Sequence, residues 1–122
     1  MEVLSSRLLL RSRDPQRATA FYRDVLGLAI YREFPGGTVF FLGHGFLEVS
    51  GRAETTPTEA TQLWLQVRDL DAAAEDLAEH VVRPPRREPW GLDEMWIADP
   101  DGLRIVLVQV PKDHPLRADV RC

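Results

Sequence analysis

Carboxylates and tryptophans are concentrated in one stretch of the chain. Residues 89–102 read PWGLDEMWIADPDG and contain two tryptophans and four acids. Grouped carboxylates can bind a metal or act as general acids and bases, whereas tryptophans beside polar groups can line a pocket for a flat, apolar ligand. Asp99 and Asp101 precede Gly102 in a D-P-D-G turn, so we expect their oxygens to accept backbone hydrogen bonds. Glu94 is the acid that we expect to face a ligand, specifically a cationic group.

The three histidines do not form a recognisable metal motif. His44 lies in a short loop, His80 at the end of a predicted helix and His114 in a polar tail. No second ligand residue follows any of them at a spacing that would place both on one face of a strand or helix. We therefore interpret all three as surface residues.

Length and charge restrict the partners of the chain. With 122 residues it is long enough for one domain with a single core. The net charge of −4 and the pI near 5.3 disfavour nucleic acid and mildly favour a cationic ligand. No apolar run is long enough to span a bilayer, the first residues lack a secretory signal, and the single cysteine, Cys122, cannot form an internal disulfide. These features predict a cytoplasmic protein without a membrane partner.

Two similar segments mark an internal duplication. RLLLRSRD (7–14) and QLWLQVRD (62–69) each predict a strand that ends at an aspartate, followed by a helix. Asp14 is the predicted cap of the first helix, and either Asp69 or Asp71 that of the second. The predicted apolar stripe of the first helix is Ala18, Phe21, Tyr22, Val25 and Leu26, with Gly27 as the stop. The predicted buried face of the second helix is Leu70, Ala73, Leu77 and Val81.

Three more strands are predicted after each helix. The first half has candidate strands at 28–34, 38–43 and 46–51, and the second half has them at 81–87, 94–99 and 103–110. Prolines make 81–87 a weak edge strand. The fold class is therefore α+β, with tandem βαβββ modules that form a curved, cup-like mixed sheet with helices on its outer face. The predicted modules are 1–51 and 62–110, joined by a linker at 52–61 and followed by a polar tail at 111–122.

Alternation along the strands assigns one set of side chains to the helices and the other to the opposite face. That second face mixes aromatic and polar groups, as the lining of a ligand cavity does. Core strands also carry tryptophan, and a tryptophan in a turn, such as Trp90, can instead cover a sheet edge. The predicted ligand contacts are Arg7, Leu9, Phe41, Phe46, Glu48, Gln62, Trp64, Trp90, Glu94, Trp96, Arg104 and Val106.

Several motifs resemble one known superfamily. RDPQRATAFYRDVLGL (13–28) resembles a signature of the vicinal oxygen chelate superfamily, which includes glyoxalases, ring-cleaving dioxygenases and bleomycin-resistance proteins. DPDGLRIVL (99–107) resembles the closing strand of that superfamily, with Leu103 in place of the usual asparagine. PWG (89–91) is most similar to the bleomycin-resistance branch. The resemblance covers about residues 3–110 and implies the paired βαβββ plan.

The resemblance also implies four metal-ligand positions, and this chain departs from the pattern at them. The positions fall on Arg7, Glu48, Gln62 and Val106. Arginine stays protonated and valine has no donor atom, which leaves fewer than the three protein ligands usual for a catalytic site. We therefore expect no metal and no cofactor. We also predict that Arg7 forms a salt bridge with Glu48 where the metal would lie.

The resulting functional hypothesis is a metal-independent homodimer that sequesters a bulky aromatic or polycyclic compound, with antibiotic resistance as the role implied by the resemblance. The exposed edge at 46–51 favours pairing with a second copy, which would also hold the tail. The alternative is a lyase, isomerase or dioxygenase that uses a metal, or that uses Glu48 as a base with a raised pKa. A regulatory or structural domain is a third class, and it predicts no aromatic cavity.

Overall fold

The computed structural model describes residues 1–115, so the predictions for Cys122 and for the end of the polar tail lie outside the described residues. The chain divides into two compact units, Met1–Pro57 and Thr58–Cys122. No helix in the described range is long and apolar enough to cross a membrane.

The first unit contains one helix and four strands. Strand β1 is Arg7–Ser12, helix α1 is Pro15–Ala20, and the remaining strands are β2 (Ile30–Phe34), β3 (Gly37–Leu42) and β4 (Gly45–Arg52). The strand order in the sheet is β1-β4-β3-β2, with β1 parallel to β4 and the other pairs antiparallel. Strand β4 is paired on both sides, so the prediction of an exposed sheet edge at 46–51 was wrong.

The second unit repeats this plan. Strand β5 is Gln62–Gln66, helix α2 is Leu70–Asp76, and the strands β6 (Val81–Arg87), β7 (Asp93–Ala98) and β8 (Arg104–Gln109) complete the sheet. The strand order is β5-β8-β7-β6, again with one parallel pair, β5 and β8. The predicted α+β class and the tandem βαβββ order are confirmed, and each module forms its own open four-stranded mixed sheet. The predicted edge position of the proline-containing strand β6 is also confirmed.

Aspartates begin both helices, as predicted. Asp14 Oδ1 accepts a hydrogen bond from the backbone N–H of Arg17 at 3.2 Å, and Asp69 Oδ1 accepts one from Ala72 at 3.0 Å. Asp69 is thus the cap of α2, and the alternative cap Asp71 lies inside its first turn.

The ends of the helices differ from the prediction. After α1 the chain continues as a π-helical segment, Phe21–Val25, in which the N–H of Leu26 bonds the carbonyl of Phe21. After α2 a short 3-10 turn, Ala78–His80, leads directly into β6. The prediction that Val81 belongs to the buried face of α2 was wrong, because Val81 is the first residue of β6. A β-branched pair followed by Arg-Pro-Pro favours extended backbone over further helix.

The core of each unit lies between its helix and one face of its sheet. In the first unit the helical Phe21 and Tyr22 are buried, and the rings of Tyr22 and Phe40 are 6.4 Å apart. In the second unit Leu70 of α2 and Leu77, which follows the helix, are buried. Sheet residues of the second core are Leu63, Met95, Ile97, Ile105 and Leu107. The predicted core positions of Phe21 and Tyr22 are confirmed. The face of each sheet that lies opposite its helix takes no part in this packing.

Candidate functional site

Arg7 and Glu48 form the predicted salt bridge on the first sheet. The parallel register pairs Arg7 with Phe46 and Leu9 with Glu48, so all four side chains share the face opposite α1. Arg7 Nη1 lies 2.8 Å from Glu48 Oε1, and the prediction is confirmed.

The second oxygen of Glu48 also has a partner. Ser50 Oγ donates to Glu48 Oε2 at 2.6 Å, and Arg11 Nη1 donates to Ser50 Oγ at 2.9 Å. The hydroxyl of Ser50 and then the guanidinium of Arg7 hold the pKa of Glu48 below its ordinary value. This direction is opposite to the raised pKa that the alternative of Glu48 as a catalytic base requires. A carboxylate held in its ionised form by two donors is a weak proton acceptor near neutral pH.

An aromatic cluster lies beside this pair. The ring of Tyr31 is 5.2 Å from that of Phe41 and 4.8 Å from that of Phe46, and Arg7 Cζ is 5.7 Å from the Phe46 centroid. Leu9, Tyr31 and Phe41 are each about half exposed. Sequence reasoning assigned Phe41 and Phe46 to this face but missed Tyr31. The register between β2 and β3 shifts next to Tyr31, so simple alternation does not give its direction.

The second sheet carries a row of aromatic and apolar side chains. Strand register aligns Trp64, Val106 and Trp96 across β5, β8 and β7. Gln62 and Arg104 form the neighbouring row on the same face, and Trp64 leaves 47% of its surface exposed. Val106, in contrast, is buried.

Two arginines cover the ring of Trp96. The guanidinium carbon of Arg83 lies 4.2 Å from the Trp96 centroid, and that of Arg104 lies 4.0 Å from it. Arg83 Nη1 also pairs with the buried Glu88 at 2.6 Å, and Arg83 Nη2 donates to the carbonyl of Glu94 at 3.1 Å. Trp96 therefore lies on the predicted face. Its ring is in contact with two guanidinium groups. Sequence reasoning missed Arg83 because two register shifts in β6 hide its alternation.

Trp90 is held in place by hydrogen bonds on both sides of its turn. Its indole Nε1 donates to Glu94 Oε2 at 2.7 Å, and its carbonyl lies 3.2 Å from His114 Nε2. The backbone N–H of Glu88 donates to the carbonyl of Leu92, and that of Gly91 donates to the carbonyl of Glu88. Trp90 nevertheless remains 59% exposed. The turn thus orients a large exposed ring beside the second sheet.

Leu92, rather than Trp90, covers the centre of the face. Leu92, Val106, Val108 and Val110 form a buried cluster, and Trp96 packs against it. Glu94, which we expected to meet a cationic ligand, is itself buried and bonds Trp90. Glu94 instead accepts the hydrogen bond that orients the indole of Trp90.

The D-P-D-G turn is structural, as predicted. Asp99 Oδ1 accepts hydrogen bonds from the backbone N–H groups of Asp101 and Leu103, each at 2.9 Å. His44 lies exposed in the loop between β3 and β4. Across residues 1–115, no group of three or more His, Cys, Asp or Glu side chains is arranged to hold a metal ion.

A separate groove lies on the helix side of the first unit. Its volume is about 790 Å³, and it is lined by α1, the β2–β3 turn and the end of β4. Thr19, Phe34 and Gly37 are among its lining residues, and none of the predicted ligand contacts belongs to it. Sequence reasoning gave no signal for this groove, because it depends on how α1 packs beside the turn.

The comparison with protein families agrees with this architecture. The model of the Glyoxalase/Bleomycin resistance protein/Dioxygenase superfamily matches residues 5–107, so the chain belongs to this superfamily. No curated protein matches the chain.

Solved structures with the same fold have varied descriptions. A protein of unknown function from Agrobacterium tumefaciens is 26% identical, with a TM-score of 0.74 over 91% of this chain and 95% of that one. A glyoxalase/bleomycin resistance protein/dioxygenase from Nocardioides is 17% identical, with a TM-score of 0.76 over 93% and 87% of the two chains. A lactoylglutathione lyase from Agrobacterium tumefaciens is 22% identical, with a TM-score of 0.65 over 89% and 94%. The last two likenesses show the fold alone.

The donor atoms at the superfamily's implied metal positions do not fit a metal. Glu48 uses one oxygen for Arg7 and the other for Ser50. Val106 has no donor atom, and the guanidinium of Arg7 is a fixed cation. Gln62 alone is too little for a site, because three protein ligands are the usual minimum.

Proposed function

We propose that this chain binds a bulky aromatic or polycyclic small molecule without a metal and removes it from its target by stoichiometric binding. The observation that carries the proposal is the pair of tryptophans on the second unit, Trp64 and Trp90, which stay about half exposed. Tryptophan is highly buried on average, so two half-exposed indoles on a unit that also presents polar groups fit a ligand surface.

The energetics favour a flat apolar ligand. Covering the exposed half of one indole contributes about 2 to 3 kcal/mol from apolar burial, before ring–ring contacts are added. The hydrogen bond from Trp90 to Glu94 restrains the indole before binding, so less conformational freedom is lost. Gln62 and Arg104 beside Trp64 supply polar groups that orient the ligand.

Sequestration needs affinity and no bond chemistry. A ligand at a concentration well above Kd is held by the protein in proportion to the amount of protein present. This mechanism needs no metal, and the implied metal positions offer too few donor atoms for one. It also needs no catalytic base, and the pKa of Glu48 is lowered. Membership of the antibiotic-binding branch, and with it a role in antibiotic resistance, is part of the proposal. The homodimer and the cytoplasmic location stay predictions.

Tryptophan fluorescence tests the proposal directly. Bleomycin, an anthraquinone and an enediyne chromophore are titrated into protein that has been treated with a chelator. We expect saturable quenching by at least one polycyclic compound, and its loss in Trp64→Ala. Val82→Ala is the matched control, because Val82 is an exposed apolar residue of the edge strand β6 outside the predicted contacts. Binding that needs added metal, or turnover of the compound, would support the enzyme alternative instead.

A further inference from the structure

Arg104 is a partly buried cation that forms no ion pair with any residue of the described range 1–115. Its guanidinium carbon lies 4.0 Å from the Trp96 ring centroid, but the side chain forms neither a hydrogen bond nor an ion pair with that part of the chain. Register places it in one row with Gln62 and Ala98, next to the row that contains Trp64. A cation in this position has most of its hydrogen-bonding capacity unused.

The other charged groups around this face are engaged. Glu88 accepts from Arg83 and Arg86, at 2.6 and 2.9 Å. Glu94 accepts from the indole of Trp90 at 2.7 Å. Among residues 1–115, Arg104 is therefore the charged group of this face that remains available to a ligand.

Glu94 is too distant to balance Arg104. Arg104 pairs with Ala98 across the strands, and Glu94 lies four residues before Ala98 on β7. Four residues of antiparallel strand span roughly 13 Å, which exceeds the Debye length of about 8 Å at physiological salt.

Trp96 restrains the free guanidinium. Contact with an aromatic ring holds the planar group, so less side-chain freedom is lost when the group binds an anion. Arg83 also contacts the ring of Trp96, at 4.2 Å, and Arg83 is in turn fixed by Glu88. The cation is thus presented by a supported side chain rather than by a freely moving one.

We propose that the ligand is an aromatic compound with an anionic substituent, such as a carboxylate, sulfonate or phosphate, and that Arg104 binds this substituent while Trp64 contacts the ring. This inference rests on the proposed function, because it uses the same exposed indole. Adjacent strands are about 4.8 Å apart and residues two apart on a strand about 6.6 Å, so Trp64 and Arg104 are roughly 8 Å apart, a span that a fused-ring anion covers. The amide of Gln62 provides a further donor in the same row.

The negative net charge of the chain does not oppose an anionic ligand. The formal charge of −4 is spread over the whole surface. Salt screens distant charges, whereas a guanidinium in direct contact with an anion forms a charge-assisted hydrogen bond. The local arrangement therefore favours an anion where the overall composition mildly favoured a cation.

Two dyes that differ only in one sulfonate test this proposal. The probes are 8-anilinonaphthalene-1-sulfonate and its neutral counterpart N-phenyl-1-naphthylamine, titrated into the full chain and its variants. We expect Arg104→Gln to weaken binding of the sulfonated dye about tenfold more than that of the neutral dye, since it removes a hydrogen bond to a charged group. Arg104→Lys keeps the charge but loses the planar group that Trp96 holds, so it should retain only part of the discrimination.

Control variants separate this inference from the proposed function. Arg68→Gln makes the same charge change at an exposed position of the second unit and should leave both affinities unaltered. Trp64→Ala should weaken binding of both dyes. If Trp64→Ala weakens both but Arg104→Gln changes neither, or changes both equally, the anion inference is wrong and the proposed function stands. If Trp64→Ala leaves both affinities unchanged, the proposed function is wrong. Circular dichroism of each variant verifies that it is folded.

Discussion

Arg7 and Glu48 form an ion pair of 2.8 Å across the neighbouring parallel strands β1 and β4. Both residues occupy positions at which the superfamily resemblance implies metal ligands. The pair leaves the carboxylate with two donors, Arg7 and Ser50, and places a fixed positive charge next to it. A salt bridge and a hydrogen bond thus occupy both oxygens of the carboxylate at an implied metal position.

The first prediction concerns acid stability. The pKa of Glu48 is lowered on folding, first by the hydroxyl of Ser50 and then by Arg7. A lowered pKa contributes stability that is present above the unfolded pKa and is lost as the pH falls through the folded pKa. We expect Arg7→Gln to raise the folded pKa of Glu48 toward its ordinary value, so less stability is lost at acid pH and the loss ends at a higher pH. Carboxyl NMR titration and urea unfolding at several pH values measure both effects. An unchanged pKa in the variant would contradict this account of the pair.

The second prediction concerns metal binding. Calorimetric titration with zinc, nickel, iron or manganese should show no tight stoichiometric binding, because the implied positions offer too few donors. Chelator treatment should likewise leave aromatic ligand binding unchanged. Tight binding of one metal per chain that disappears in Glu48→Ala would show that Arg7 moves aside, and the metal-free interpretation would then be wrong.

The third prediction concerns the anchoring of Trp90. Trp90→Phe keeps a ring but removes the donor to the buried Glu94. We expect the free energy of unfolding to fall by about 1 to 3 kcal/mol, because a buried acceptor loses its hydrogen bond. In Trp90→Phe/Glu94→Leu the unpaired carboxylate is absent, so part of this loss should be recovered. Urea unfolding of the two variants and of the original chain measures the difference. If Trp90→Phe is as stable as the original chain, the hydrogen bond from Trp90 to Glu94 contributes little to stability.

The fourth prediction concerns the close approach of backbone and side chains at Gly37. A Cβ added there would lie 2.6 Å from Phe34 Cζ and 2.7 Å from Ser50 Cβ. Gly37→Ala should therefore destabilise the first unit by about 1 to 3 kcal/mol through overpacking. Gly45→Ala is a suitable control, since its nearest contact is an ordinary 3.4 Å to Ser6 Oγ. Similar melting temperatures of the two variants would argue against the tight packing.

Local patterns predicted the elements of the fold well. The helix caps Asp14 and Asp69 and the edge strand β6 follow from capping, apolar periodicity and proline chemistry. The π-helical segment Phe21–Val25 was not predicted, because apolar residues at ordinary helical spacing do not distinguish it from an α-helix. Val81 was assigned to the buried face of α2 because the helical spacing of apolar residues extends to it. The prolines that follow favour extended backbone, and Val81 begins β6.

The candidate site was harder to predict than the fold. The Arg7–Glu48 pair was predicted from the resemblance, which implies a metal-ligand position at each residue, and the register of β1 and β4 places both on one face. Tyr31 and Arg83 were missed because register shifts interrupt the alternation of β2 and β6. The contact of Arg83 and Arg104 with Trp96 could not be predicted either, since it depends on side-chain conformations that alternation does not specify.

The central claim is stoichiometric, metal-independent binding of an aromatic compound. Isothermal titration of the chelator-treated protein with the panel compound that quenches its fluorescence most strongly, followed by mass spectrometry of the recovered compound, tests it most directly. We expect saturation at a fixed ratio of ligand to protein, recovery of the compound unchanged, and loss of the binding heat in Trp64→Ala. Conversion of the compound, dependence on added metal, or equal binding by Trp64→Ala would contradict it.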